Sequence, residues 1–144
     1  MTHQWAELTS PQLAGRLAAD PECVALIPVG ATEQHGPHLP VGTDTIIATA
    51  LADAAAGDAA VVLPPLPFGA SYFHGTRLAG TVAFSGEETA AAAGLVAEAC
   101  VDSGFRRLLF STVTWATRPR CGSPATASGA SFPTCGSGSC SGEI

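Results

Sequence analysis

Residues 24–45 read VALIPVGATEQHGPHLPVGTDT, and the fold class follows from this stretch. Its first six residues are all apolar, which is typical of a strand covered on both faces of a parallel sheet. Glycines and prolines then fix the path of a loop, and a helix begins at about Thr43. A strand, a loop and a helix in this order form one unit of an α/β fold, whose functional loops follow the carboxyl ends of the strands.

Residues upstream and downstream predict further elements of the same kind. Ser10-Pro11 predicts the start of a helix as N-cap and first helical residue, and Asp20-Pro21 ends that helix. A second short buried strand covers Ala60–Leu63. The helix predicted over about Thr43–Ala56 has five apolar residues on one side: Ile46, Ile47, Ala50, Leu51 and Ala54.

The pattern continues as far as about residue 110. A short strand is predicted near Thr81–Phe84, and the capping box Ser85-Gly86-Glu87-Glu88 opens a helix that runs to about Ser103. Arg106–Phe110 begins a third core strand. Strands that alternate with helices predict an α/β fold with a mainly parallel sheet and helices on both faces.

Composition excludes several classes of function. The 144 residues include six lysines and arginines against 12 acidic residues, so clustered basic residues for nucleic acid are lacking. No apolar run approaches the roughly 20 residues that cross a bilayer, and the first residues do not resemble a signal peptide. We therefore expect a cytoplasmic protein with no nucleic-acid or membrane partner. Cys23 and Cys100 are expected to be small buried residues.

The loop after the first strand carries the candidate chemistry. Glu33 and His35 stand two residues apart, so in an extended segment their side chains point to the same side. Asp44 lies in the first turn of the next helix, where the helix dipole favours a carboxylate. Carboxylates and imidazole are donors for zinc or manganese. Asp44 can bridge two ions, about 3.5–4 Å apart, that share a hydroxide.

Two interpretations of this loop remain open from the spacing alone. In the first, Glu33, His35 and Asp44 hold metal, and His38 is a ligand, a partner of a ligand or a brace of the loop. In the second, Thr43 or Asp44 is an N-cap, Glu33 is solvated and both histidines are surface residues. His74 likewise either contacts substrate or packs beside its aromatic neighbours.

A family resemblance favours the metal interpretation. Residues 28–40 with Thr43-Asp44-Thr45 closely resemble the signature of the creatininase (creatinine amidohydrolase) family. The resemblance continues through residues 63–69, 80–81 and 104–109, and it covers about residues 5–110. It implies a three-layer α/β/α sandwich and a homo-oligomer, often hexameric. Family members hydrolyse C–N bonds of amides, and they include creatinine hydrolases, formamide hydrolases and a peptidase-like member of the mycofactocin system.

The resemblance also implies roles for individual residues. Glu33, His35 and Asp44 match metal ligands, with Asp44 as the bridge between two divalent ions (zinc, manganese or iron). Tyr72 and His74 match positions that line the substrate pocket. The mechanism implied is attack of a metal-activated hydroxide on the carbon of a small amide substrate.

The chain departs from the family after the third strand. Where the family has Asn-Gly-His-x-x-Asn, whose histidine is another ligand, residues 111–117 read STVTWAT. One permitted choice of codons for these residues is UCA ACG GUC ACG UGG GCA ACC, and from its third base it reads Asn-Gly-His-Val-Gly-Asn. We therefore expect a frame shift at or just before Ser111. Residues 1–111 are then an incomplete creatininase-like domain, and residues 112–144 are a disordered low-complexity tail.

Two functional hypotheses follow. The chain is a metal-dependent amidohydrolase of the creatininase family, or it is a truncated, non-catalytic remnant that lacks a competent metal site. The alternative to a frame shift is a genuine divergent C-terminus.

Overall fold

A computed structural model of the chain describes residues 3–72 and 78–113. Their strands form a parallel three-stranded sheet in the order β2-β1-β3. The bounds are Val24–Val29 for β1, Ala60–Val62 for β2 and Arg107–Thr112 for β3. β1 is central, so the predicted strand–loop–helix unit begins in the middle of the sheet.

Helices cover both faces of this sheet, as the fold class predicts. A short 3-10 helix at Trp5–Glu7 precedes α1 (Ser10–Ala19), α2 (Thr43–Ala56) and α3 (Gly86–Asp102). Leu13 and Leu17 of α1 and Val96 and Cys100 of α3 pack with the side of β1 that carries Ile27. α2 packs with the opposite side of the same strand. The architecture is therefore three layers, α/β/α.

Each interface between layers has its own core of buried residues. On the α2 side the core consists of Leu26, Ala52, Ala56, Ala60 and Val62. On the other side it consists of Cys23, Ala25, Ile27, Val29, Val61, Leu63, Cys100 and Phe105. Both cysteines are free and buried, as predicted, and burial raises the pKa of the Cys100 thiol.

α2 turns its small residues toward the sheet. Ala48, Ala52 and Ala56 are its buried residues, whereas the larger Ile46 and Ile47 are exposed. The side that the sequence marks as apolar therefore faces outward in the described structure. Alanine side chains on the inner side bring the helix axis close to the strands, and this close approach matters for the site described below.

Two predicted strands differ in the structure. The sequence predicts a core strand that begins at Arg106–Phe110, but β3 lies at an edge of the described sheet with Leu109 exposed. The prediction of a strand near Thr81–Phe84 is wrong, because this segment forms only an isolated antiparallel bridge, between Val82 and Thr32.

The helix boundaries shift by one residue in places. Thr9, rather than Ser10, is the N-cap of α1, and its backbone N–H donates to Gln12 Oε1 at 2.8 Å. The capping box of α3 forms as predicted, with Ser85 as the N-cap. In the described residues no helix is long and apolar enough to cross a bilayer. The predicted tail lies outside the described residues from position 114 onward, so its disorder and the frame shift stay predictions.

Candidate metal centre

The loop between β1 and α2 is closed by backbone hydrogen bonds at both ends. Gly30 N–H donates to the Leu66 carbonyl at 2.9 Å, beside the bridge that joins Leu66 to Val29. Glu33 N–H donates to the Val41 carbonyl at 2.9 Å, which draws the loop back toward the start of α2. These bonds hold the loop in a fixed path at the carboxyl end of the central strand.

Threonines from three segments brace this loop further. Thr32 Oγ1 donates to the Pro67 carbonyl at 2.9 Å, and Gln34 N–H donates to Thr81 Oγ1 at 3.1 Å. Thr45 Oγ1 donates to the Ala31 carbonyl at 3.2 Å. The sequence did not predict these hydrogen bonds. Two of them join the loop to residues far along the chain, Pro67 and Thr81. The resemblance at residues 80–81 was the one available signal.

Glu33, His35 and Asp44 converge at this end of the sheet. One ligand atom from each residue can be chosen so that all three lie within 4.8 Å of one another. His35 Nε2 lies 3.3 Å from Asp44 Oδ1. Glu33 is buried, with 7% of its surface exposed, and the side chains of His35 and Asp44 are largely buried. The three residues of the metal interpretation are therefore neighbours in space.

The tautomer of His35 is set by its backbone contact. His35 Nδ1 lies 3.0 Å from the Glu33 carbonyl oxygen, which can only accept a hydrogen bond. In the neutral ring Nδ1 therefore carries the hydrogen, and the lone pair on Nε2 is directed at the Asp44 carboxylate. A backbone carbonyl on the second ring nitrogen is a common way to orient a metal-binding histidine.

The charges around His35 act in the same direction as this hydrogen bond. The bond to the Glu33 carbonyl raises the pKa of His35, and the carboxylates of Asp44 and Glu33 raise it further against the effect of burial. The surroundings of His35 therefore favour a positive charge. The same two carboxylates would also attract a divalent cation.

The alternative interpretation of the loop fails at two of its residues. Gly42 is the N-cap of α2, so neither Thr43 nor Asp44 has that position. Glu33 is buried rather than solvated. His38, by contrast, is an exposed loop residue and does not belong to the cluster.

The two predicted pocket residues are Tyr72 and His74. Tyr72 is 72% exposed. His74 lies outside the described residues. Their substrate-binding roles therefore stay predictions.

The donor set fits a divalent metal ion. Two carboxylates and one imidazole nitrogen with an available lone pair are ligands that zinc and manganese accept. Glu33, His35 and Asp44 would hold such an ion from two directions, because the first two lie on the loop and Asp44 lies on the first turn of α2.

Comparison with known proteins relates the chain to one protein family. The family model Creatininase, described as creatinine amidohydrolase, matches residues 6–113. The mycofactocin precursor peptide peptidase of Mycolicibacterium smegmatis is 51% identical over 71 residues, which are 42% of this chain and 29% of that protein. The creatinine amidohydrolase of Pseudomonas putida is 41% identical over 64 residues, covering 44% of this chain and 24% of that protein.

Solved structures agree with the sequence relatives. A manganese creatininase has a TM-score of 0.70 and 30% identity, with 76% of this chain and 44% of that chain covered. A mutant creatininase of the Zn–Zn type has a TM-score of 0.69 with the same coverage. The chain thus spans less than a third of the curated relatives and under half of the solved ones. Because the family model matches most of the sequence and the fold agrees, the chain belongs to the creatininase family.

Proposed function

We propose that Glu33, His35 and Asp44 bind divalent metal and that the chain represents a metal-dependent amidohydrolase which cleaves a C–N amide bond. The observation that carries this proposal is the convergence of the three ligand atoms within 4.8 Å at the carboxyl end of the central strand. Manganese and zinc in related creatininases support the choice of metal. Two ions, with Asp44 as the bridge, follow the family pattern.

The residues of this chain prepare the site for that chemistry. A bound divalent ion supplies a hydroxide nucleophile at neutral pH and polarises the carbonyl of the substrate. The Glu33 carbonyl keeps the proton of neutral His35 on Nδ1, so Nε2 is available as a ligand. Burial of Glu33 excludes water from one side of the cluster, which strengthens its electrostatic interactions.

The substrate we propose is a small amide or the end of a peptide. Support comes from relatives named as mycofactocin precursor peptide peptidases, which are 42% to 51% identical over 71 to 73 residues. Tyr72 and His74 follow the loop after β2 and are proposed to contact this substrate. The exposure of Tyr72 is compatible with that role.

The first experiment measures metal in the 144-residue chain. We expect manganese or zinc to bind, and we expect His35→Ala and Asp44→Asn each to lower the affinity by at least about tenfold. His38→Ala is the matched control, because this exposed histidine lies in the same loop but outside the cluster. Equal metal content in all four proteins would contradict the proposed ligand set.

A second candidate function is a non-catalytic remnant that results from a frame shift. Thr112 pairs with Val29, so β3 ends beside the end of β1, where the loop with Glu33 and His35 begins. One permitted choice of codons reads Asn-Gly-His in a shifted frame at this point, where the family resemblance implies a further metal ligand. The match of the family model ends at residue 113, which supports the same interpretation.

Sequencing the encoding DNA across the codons for residues 110–117 separates the two candidates. If the DNA restores Asn-Gly-His in frame, we expect the corrected protein to bind two metal ions and to hydrolyse an amide. If the DNA encodes residues 111–117 as printed, we expect weak binding of one ion and no amidohydrolase activity. Full activity of the printed chain would contradict the remnant hypothesis.

A further inference from the structure

Gly30 lies where the end of β1 meets the first turn of α2. A Cβ atom at this position would stand 2.6 Å from the backbone nitrogen of Thr45, and closer still to its Cα and Oγ1. Two of these three atoms belong to the backbone of α2, so a side-chain rotation cannot relieve the overlap. Only a residue without a Cβ permits this approach of strand and helix.

Thr45 holds the same contact from the helix side. Its Oγ1 donates a hydrogen bond to the carbonyl of Ala31, the residue that follows Gly30, at 3.2 Å. Thr45 also follows Asp44 directly on α2. The hydrogen bond and the missing side chain at position 30 therefore fix the first turn of the helix against the loop.

The separation of the metal ligands depends on this contact. His35 Nε2 and Asp44 Oδ1 are 3.3 Å apart, and they lie on opposite sides of the contact, one on the loop and one on α2. Ordinary van der Waals contact for a Cβ begins at 3.4 Å, so a methyl group at position 30 has to push the helix back by about 1 Å. Metal ligands tolerate only about 0.2 Å of change in distance.

We propose that Gly30 and Thr45 are positioning residues that set the place of Asp44 relative to Glu33 and His35. This inference rests on the proposed function, since it assigns these two residues a role in the same metal site. Neither residue donates an atom to the site. Gly30 acts by allowing the helix to approach, and Thr45 acts by holding it there.

The first test is a titration of the 144-residue chain with Co²⁺, followed by its visible absorption spectrum. We expect Gly30→Ala to weaken binding about 10–100-fold and Thr45→Val to weaken it about tenfold, as for other residues that orient ligands. Thr45→Ser keeps the hydroxyl and should retain affinity and spectrum within about twofold.

Gly42→Ala is the matched control for the glycine substitution. Gly42 lies immediately before α2, has a φ of −92°, and has open space where a Cβ would stand. We expect this variant to bind Co²⁺ as the unsubstituted chain does. Circular dichroism shows whether Gly30→Ala is folded, and Thr45→Val carries the test if it is not.

The second test needs no metal. The ¹⁵N chemical shifts of the His35 ring report the contact of Nε2 with Asp44 in the metal-free chain. We expect these shifts to change in Gly30→Ala and Thr45→Val but not in Thr45→Ser or Gly42→Ala. Unchanged ring shifts together with unchanged Co²⁺ affinity in Gly30→Ala and Thr45→Val would overturn the proposal.

The two tests also separate this inference from the proposed function. If the unsubstituted chain binds no Co²⁺ but the ring shifts respond as expected, the positioning role stands and the metal function fails. If the chain binds Co²⁺ and all four variants bind it equally, the metal function stands and the positioning role fails.

Discussion

Leu26 on β1 and Leu109 on β3 are register partners in neighbouring parallel strands, on the side of the sheet that carries α2. Leu26 is 3% exposed and Leu109 is 56% exposed. β1 has a strand on each side, whereas β3 has only β1 beside it in the described residues. An apolar strand sequence therefore does not distinguish the centre of a sheet from its edge.

The largest expected effect comes from truncating these two leucines separately. Leu26→Ala removes buried methyl groups and leaves a cavity between β1 and α2, so we expect a loss of about 2–5 kcal/mol in the free energy of unfolding. Leu109→Ala should change it by no more than about 0.5 kcal/mol. Urea unfolding followed by circular dichroism measures both values.

The size of the Leu109 effect decides whether the comparison holds in solution. A loss at Leu109 similar to that at Leu26 would mean that the edge of β3 is covered in solution, by another part of the chain or by a second copy. Dilution of the protein then separates these cases, because only self-association depends on concentration.

A smaller effect is expected at the start of α3, the helix that leads to β3. Glu88 N–H donates to Ser85 Oγ at 3.1 Å, and Ser85 N–H donates to Glu88 Oε2 at 2.8 Å. We expect Ser85→Ala to cost about 1 kcal/mol, which is more than Leu109→Ala although Ser85 is far smaller. Thermal unfolding at pH 7 compares the two variants.

The same cap predicts a dependence on pH. The backbone N–H of Ser85, and then its side chain, lower the pKa of Glu88 below its usual 4.5. A lowered pKa in the folded state means that the stabilisation is present above pH 4.5 and is lost as the pH falls through the folded value. The melting-temperature difference between the unsubstituted chain and Glu88→Gln should therefore shrink on acidification. A constant difference would contradict this assignment.

The smallest effect is expected for the ion pair beside the same edge strand. Arg107 Nη1 on β3 lies 3.8 Å from Glu22 Oε2, and both side chains are mostly exposed. Water and salt screen such a pair, so Glu22→Gln should change the free energy of unfolding by less than about 0.5 kcal/mol. A larger change that persists at high salt would show that this edge is shielded from solvent.

Much of the fold could be predicted because its signals are local. The apolar run of β1, the capping box at Ser85 and the loop before α2 each act within a few residues. The candidate metal ligands could also be found from the sequence, since Glu33, His35 and Asp44 lie within 12 residues of one another. Their loop and helix follow a central strand, so local order brings them to one end of the sheet.

The bracing contacts could not be predicted in the same way. The hydrogen bond from Gln34 to Thr81 joins residues 47 positions apart, and no spacing rule links them. The close approach of Gly30 to Thr45 depends on the distance between helix and sheet. That distance follows from the alanines on the inner side of α2, which the apolar pattern of the helix did not identify.

Sequence patterns alone were enough to predict α1 to α3 and β1 to β3, the α/β class, the family and the three candidate ligands. These features depend on residues that are neighbours along the chain, where capping, periodicity and short spacing act. Three features became visible in the folded chain alone: β3 lies at an edge of the described sheet, α2 turns its alanines inward, and Gly30 allows Thr45 to approach closely. These features depend on packing between distant segments, where the fit of whole surfaces, and not the character of any one segment, sets the lowest free energy.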